Sequence, residues 1–325
     1  MPAPDASEAT SPVPQPPPGT TLAIIAIVGT LAGWTSIPLF LHHFAKLIDP
    51  WTANGWRYAI SALIWLPVLI IGASRKNLPP GLWKAALWPS LFNSAAQVLF
   101  GLAPYYVEPG LMVFSLRVQI VFVAIGAAIF FVAERRVITR PLFLTGLIAV
   151  IVGTLSTVAL REGGLGEGRL LGIVMAMGSG MLYAGYALAV RKSMTRMNPI
   201  SAFAAVSQYT AILLVIPMFL FGKDSGLTAL HLPTAQIGLL VLSAIIGIGL
   251  GHTFYFYSMS RLGVTVASGV VQLQPVTVSI ASAFVFGERM STAQWATGFV
   301  AICGAALMLV AQHRARREGF SGSGR

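Results

Sequence analysis

Ten apolar runs of about 20 residues, parted by short polar stretches, follow one another along most of this chain. A helix of that length matches the hydrocarbon thickness of a bilayer. The pattern predicts helical spans at 22–41, 53–73, 83–103, 111–132, 141–160, 169–190, 201–221, 235–256, 264–286 and 293–312. No run shows sustained alternation of period two, so the expected class is an all-α membrane protein. Pro275, inside the ninth run, lacks an N–H and predicts a broken or kinked helix there.

The run ending in Glu134-Arg135 is echoed 154 residues later by one ending in Glu288-Arg289. An ungapped alignment on the glutamates sets Phe130 against Phe284, Ala127 against Ala281 and Ala128 against Ser282. It also sets Ile120-Val121 against Gln274-Pro275, where the copies differ. After the glutamates, Gly146 and Gly153 resemble Gly298 and Gly304, small residues that let helices approach closely in lipid. The fold expected is ten transmembrane helices as two inverted five-helix repeats, because an odd span count sends the second copy in from the opposite side. The bland alternative is that any two membrane helices share such a composition.

Charge sets the orientation. Of the 21 Lys and Arg, fourteen fall in one set of loops and tails, including Arg75, Lys76, Arg135, Arg191 and Arg314. Five fall in the opposite set (Lys46, Arg161, Arg169, Lys223, Arg289), and Arg57 and Arg117 lie inside spans. That bias places both termini in the cytoplasm. It also accounts for the net charge of +11, so nucleic-acid binding is not implied. The composition agrees: 56% of residues are hydrophobic and 10% charged. Residues 1–20 form a Pro-rich tail with too little apolar content to pack, and 314–325 a basic tail expected to be flexible. No Lys or Arg precedes the first apolar run, so the run is read as a span and not as a secretory signal.

Several motifs together carry a family resemblance. They are Gly287-Glu288-Arg289, its counterpart Ala133-Glu134-Arg135, the Gln274-Pro275 step, and Asp49-Pro50 with Arg57 opening the second span. On these residues the chain resembles EamA-type members of the drug/metabolite transporter superfamily. The resemblance implies a first repeat over 21–160, a second over 168–313, and a secondary transporter that exports a small organic metabolite across a bacterial-type inner membrane. A channel or a non-transporting receptor of the same architecture is the alternative.

The intramembrane polar residues are the candidate site. Arg57 and Arg117 each sit about 10 Å below the outer face, at 1.5 Å per residue. No carboxylate lies deep in any span, and a guanidinium fork suits a substrate carboxylate or phosphate. The competing reading pairs Arg57 with Asp49 and Arg117 with Glu108. Asn93 and Gln97 share a face of the third span; Gln119, Gln272 and Gln274 lie at mid-membrane; Trp34 and Tyr186 could stack on a ligand. Each could equally be glue or packing between helices, and Asn54 and Gln208 are read as glue. His252 is a candidate proton relay against a core histidine. The sole cysteine, Cys303, and the pair His42-His43 offer no metal set, so neither metal nor cofactor is expected. Paired intramembrane aspartates, a Gly-x-Ser-x-Gly turn and a P-loop are all missing from the sequence, which argues against an enzyme. The partners expected are the bilayer and a small-molecule substrate, with a homodimer left open.

Overall fold

The computed structural model describes residues 20–131, 135, 137–160, 166–194, 196–262 and 264–322. Glu134, Arg161, Gly263 and the Pro-rich segment up to residue 19 lie outside the described residues. The rest is built from helices: α1 (Thr20–Phe44), α2 (Pro50–Ser74), α3 (Leu82–Leu102), α4 (Pro109–Leu116), α5 (Gln119–Phe130), α6 (Pro141–Ala159) and α7 (Glu167–Met194). There follow α8 (Pro199–Phe221), α9 (Thr234–Ser243), α10 (Gly251–Leu262), α11 (Val264–Val271), α12 (Gln274–Phe286) and α13 (Thr292–Gly322). A π-helical segment, Ala244–Leu250, joins α9 to α10.

Among the described residues, nine stretches are long and apolar enough to cross a membrane. They correspond to nine of the ten expected spans. The exception is α3, a helix of 21 residues that carries Lys84, Ser90, Asn93, Ser94 and Gln97. Its polar residues are mostly buried against neighbours, so the helix is less apolar than its length suggests. Lipid-facing surface is provided by others: Leu63, Leu220 and Phe284 are exposed by 67%, 69% and 88%. Such exposure is costly in water and costs nothing in hydrocarbon. At the C-terminus α13 continues past residue 314, where the basic tail was expected to begin, to Gly322. Its Ala, Gln and Arg residues are good helix formers.

Helix starts follow local sequence. Asp49 caps α2, its Oδ1 accepting from Thr52 N at 2.9 Å, and Pro50 occupies the first turn, where no N–H is needed. Asn198-Pro199 repeats the device at α8, with Oδ1 accepting from Ile200 N at 2.9 Å. The main seams join α6 to α13, α3 to α7, α2 to α8 and α1 to α10. Trp65 of α2 meets Phe203 of α8 edge-on at 5.4 Å. At the α6–α13 seam the backbones nearly touch: a Cβ on Gly146 would stand 2.6 Å from Gly304 O, and one on Gly304 2.6 Å from Gly146 O. The small residues expected to matter after the glutamates therefore do so by direct backbone approach.

Two breaks position the site. Between α4 and α5, Arg117 N donates to Phe114 O at 3.0 Å and Val118 N to Ser115 O at 3.4 Å. Between α11 and α12, Gln272 N donates to Gly269 O at 3.2 Å and Leu273 N to Val270 O at 3.0 Å. Both are tightened turns with i to i−3 bonds in place of the helical i−4 pattern. The break in the ninth span was expected, and Pro275 sits in the first turn of α12 beyond it. The break in the fourth span was not, since Gln119-Ile120 contains no proline. Residues 117 and 272 occupy the same place in their breaks, so the breaks register at an offset of 155, one more than the glutamates. Gln274 therefore stands opposite Gln119 rather than Ile120, because the second copy is one residue shorter between break and glutamate.

Candidate functional site

The helix breaks bring the candidate residues together. Arg117, at the end of α4, donates from Nη1 to Gln272 Oε1 at 3.5 Å and from Nη2 to Gln274 Oε1. Gln274 in turn donates from Nε2 to Trp34 O of α1 at 2.8 Å. Three spans thus meet through one guanidinium and two amides. Arg117 Nε finds no acceptor among the described residues. Beside this clamp is a cavity of only about 10 Å³, lined by Phe114, Arg117, Ile120, Gln272, Pro275 and Ala301 among others. That is roughly the room of one water molecule.

Arg57 does not line that cavity. It is 1% exposed, donates from Nε to Ser243 Oγ at 3.0 Å, and has no acceptor for Nη1 among the described residues. Neither arginine takes the carboxylate of the competing reading. Asp49 is occupied by Thr52 and Lys223 N, and Glu108 pairs with Arg169 at 3.2 Å. Arg57, buried beside Ser243, and Arg117, half-buried among amides, make a region of positive potential.

Other candidates fall outside the clamp. Asn93 Nδ2 donates to Thr210 Oγ1 at 3.0 Å, tying α3 to α8. Asn54 Nδ2 donates to the Gln97 carbonyl at 2.7 Å, and Gln208 Nε2 to Ala62 O at 2.9 Å. These are bonds between helices. Tyr186 packs on the α2–α8 core. Gln119 opens α5, half-buried. His252 Nδ1 lies 3.1 Å from Ile248 O, its ring stacked on Phe203 at 4.4 Å and edge-on to Trp34 at 5.3 Å. Tyr255, 5.0 Å from Trp34, and Ser243 belong to the centre and were not singled out from the sequence. A serine among apolar residues gives no local signal of an arginine partner 186 residues away.

At the far end of α12, Glu288 is buried and its Oε2 accepts from Gly110 N at 3.1 Å, in the first turn of α4. A Cβ on Gly110 would stand 2.7 Å from Ser279 Oγ and 2.9 Å from Glu288 Oε1, so the carboxylate reaches the helix end only past a glycine. A negative group there complements the helix dipole. Arg135 Nε donates to Ala128 O at 2.9 Å, closing the end of α5.

Residues 170–310 match the EamA-like transporter family. A Bacillus subtilis (strain 168) protein, named as the uncharacterized transporter YwfM, is 30% identical over 128 residues. That match covers 38% of this chain and 40% of the relative, about two-fifths of its length. A solved crystal structure of another protein superposes on 91% of this chain and 98% of its own with a TM-score of 0.62. At 18% identity it is a likeness of fold alone.

Proposed function

We propose that this multi-pass membrane protein is a secondary carrier of a small organic anion, working by alternating access between two inverted five-helix repeats. In this reading the halves are α1 to α6 and α7 to α13. The observation that carries it is the pair of helix breaks at equivalent positions, joined by Arg117 to Gln272 and Gln274. Packing supports it. The seam of α3 with α7 matches that of α10 with α1, and the contact of α5 with α7 matches that of α12 with α1. The α2–α8 and α6–α13 seams map onto themselves when the halves exchange. Discontinuous helices meeting near the midplane are a means of building a site that two rocking halves expose in turn.

Arg57 and Arg117 attract the anion in this reading, with Gln272, Gln274 and Trp34 shaping the site. Asn93 is assigned to holding α3 on α8. Glu134 is read, from the sequence alone, as the counterpart of Glu288 in the other repeat. Both termini lie in the cytoplasm, and the outward direction follows the family likeness. The similarity over 170–310 and the relative named as a transporter support carriage over a receptor role.

Counterflow in proteoliposomes tests this. Vesicles preloaded with a carried metabolite take up external labelled metabolite faster than empty ones. Uptake that neither saturates nor responds to internal substrate would identify a channel.

A further inference from the structure

Arg117 has a distinctive place: its charge bridges the two breaks, contacting the broken helix of the other half. At the matching place of the second break stands Gln272, so the two halves offer one cation and one amide. That inequality makes a bond across the centre feasible, since two arginines there would repel. The amide oxygens occupy Nη1 and Nη2, positions that a carboxylate or phosphate takes in a bidentate contact. The adjoining cavity, about 10 Å³, has no room for such a group while the amides are in place.

We propose that Gln272 and Gln274 are internal competitors for the anion site on Arg117, and that a carboxylate or phosphate of the substrate displaces them and thereby unfastens the two broken helices. This rests on the carrier reading above for its role, though the displacement itself is a property of binding. It follows because charge-assisted bonds to an anion are roughly twice as strong as those to a neutral amide. The clamp also gives selectivity. A neutral analogue of the same shape offers Arg117 nothing better than it already holds, and leaves the centre closed. Trp34 is coupled directly, because its carbonyl accepts from the Gln274 amide. Displacement of Gln274 would alter Trp34's surroundings and so its fluorescence.

The experiment is isothermal titration of the purified full-length protein with benzoate, succinate and inorganic phosphate, and with benzamide as the neutral control. Gln272→Leu removes one competitor and should tighten anion binding about tenfold, equivalent to ~1.4 kcal/mol. Gln272→Glu supplies a permanent carboxylate and should weaken binding more than about tenfold, while raising the Tm of the ligand-free protein. Arg117→Gln should abolish the response. Benzamide should bind no variant better than wild type. The carboxylate and phosphate arms show which anion is preferred. Unchanged or weaker binding to Gln272→Leu would overturn the proposal, as would binding of no anion to the wild type. An unraised Tm in Gln272→Glu would overturn it without any ligand. The two readings fail separately: counterflow with indifferent Gln272 variants would spare the carrier and refute the competitor. Tighter binding without counterflow would do the reverse.

Discussion

Replacing Arg57 by methionine should stabilise the empty protein while removing its response to anions. Among the described residues the guanidinium, 1% exposed, has one side-chain acceptor, Ser243 Oγ at 3.0 Å, and none for Nη1. Losing the charge-assisted bond costs about 1.5–3 kcal/mol. Ser243 itself stays satisfied, since its Oγ also donates to Leu240 O at 2.7 Å. Against that loss stands the desolvation of a buried cation, which is several kcal/mol per ion. Methionine fills most of the volume of the arginine stem and adapts to irregular gaps. The difference should favour methionine by about 1–3 kcal/mol, in the range seen when buried ionic groups give way to apolar ones. Equilibrium unfolding in mixed micelles, followed by tryptophan fluorescence, measures it; anion binding and counterflow on the same preparation give the functional half. Destabilisation beyond about 2 kcal/mol would show Arg57 to be a structural strut, and the reasoning from its free Nη1 would fail.

Other consequences concern the frame. Glu288→Gln keeps an acceptor for Gly110 N but loses the charge at the α4 N-terminus, and should cost about 1 kcal/mol in the same unfolding assay; Gly110→Ala should cost more, because the new Cβ meets Ser279 and Glu288. Gly304→Val should separate α6 from α13, lowering stability by about 3 kcal/mol or preventing assembly, seen as loss of the monodisperse peak on size exclusion. Asp49→Ala should cost about 1 kcal/mol through the lost α2 cap, with anion affinity unchanged.

Much of the frame was legible because hydropathy alone marks lipid-facing helices. Most span edges fell within a few residues of the helix ends, though the last helix runs on to Gly322, and Asp49-Pro50 does open the second. What could not be read was whatever depends on residues far apart in the chain. The break at Arg117 has no proline, and only its match to the Gln272 turn reveals it. The π-helical stretch at Ala244–Leu250 carries Gly247 and Gly249 but no rule that calls for five-residue bonding. Arg57 and Arg117 were found from the cost of burying charge. Their different circumstances, one facing a serine and the other clamped by two amides, came only from packing. Amides at mid-membrane serve a cavity and a seam equally well: Asn93 bonds Thr210 between α3 and α8, and of Gln97 it is the backbone carbonyl that accepts from Asn54.

The central claim is that the two halves cross the membrane in opposite senses and meet at their breaks. Arg135 and Arg289, the residues after the repeated glutamates, test it most directly. Each is replaced singly by cysteine in a Cys303→Ser background and treated with an impermeant maleimide on intact cells and on inverted vesicles. The account predicts labelling of Arg135→Cys from the cytoplasmic face alone and of Arg289→Cys from the outer face alone. Labelling of both from one face would contradict it.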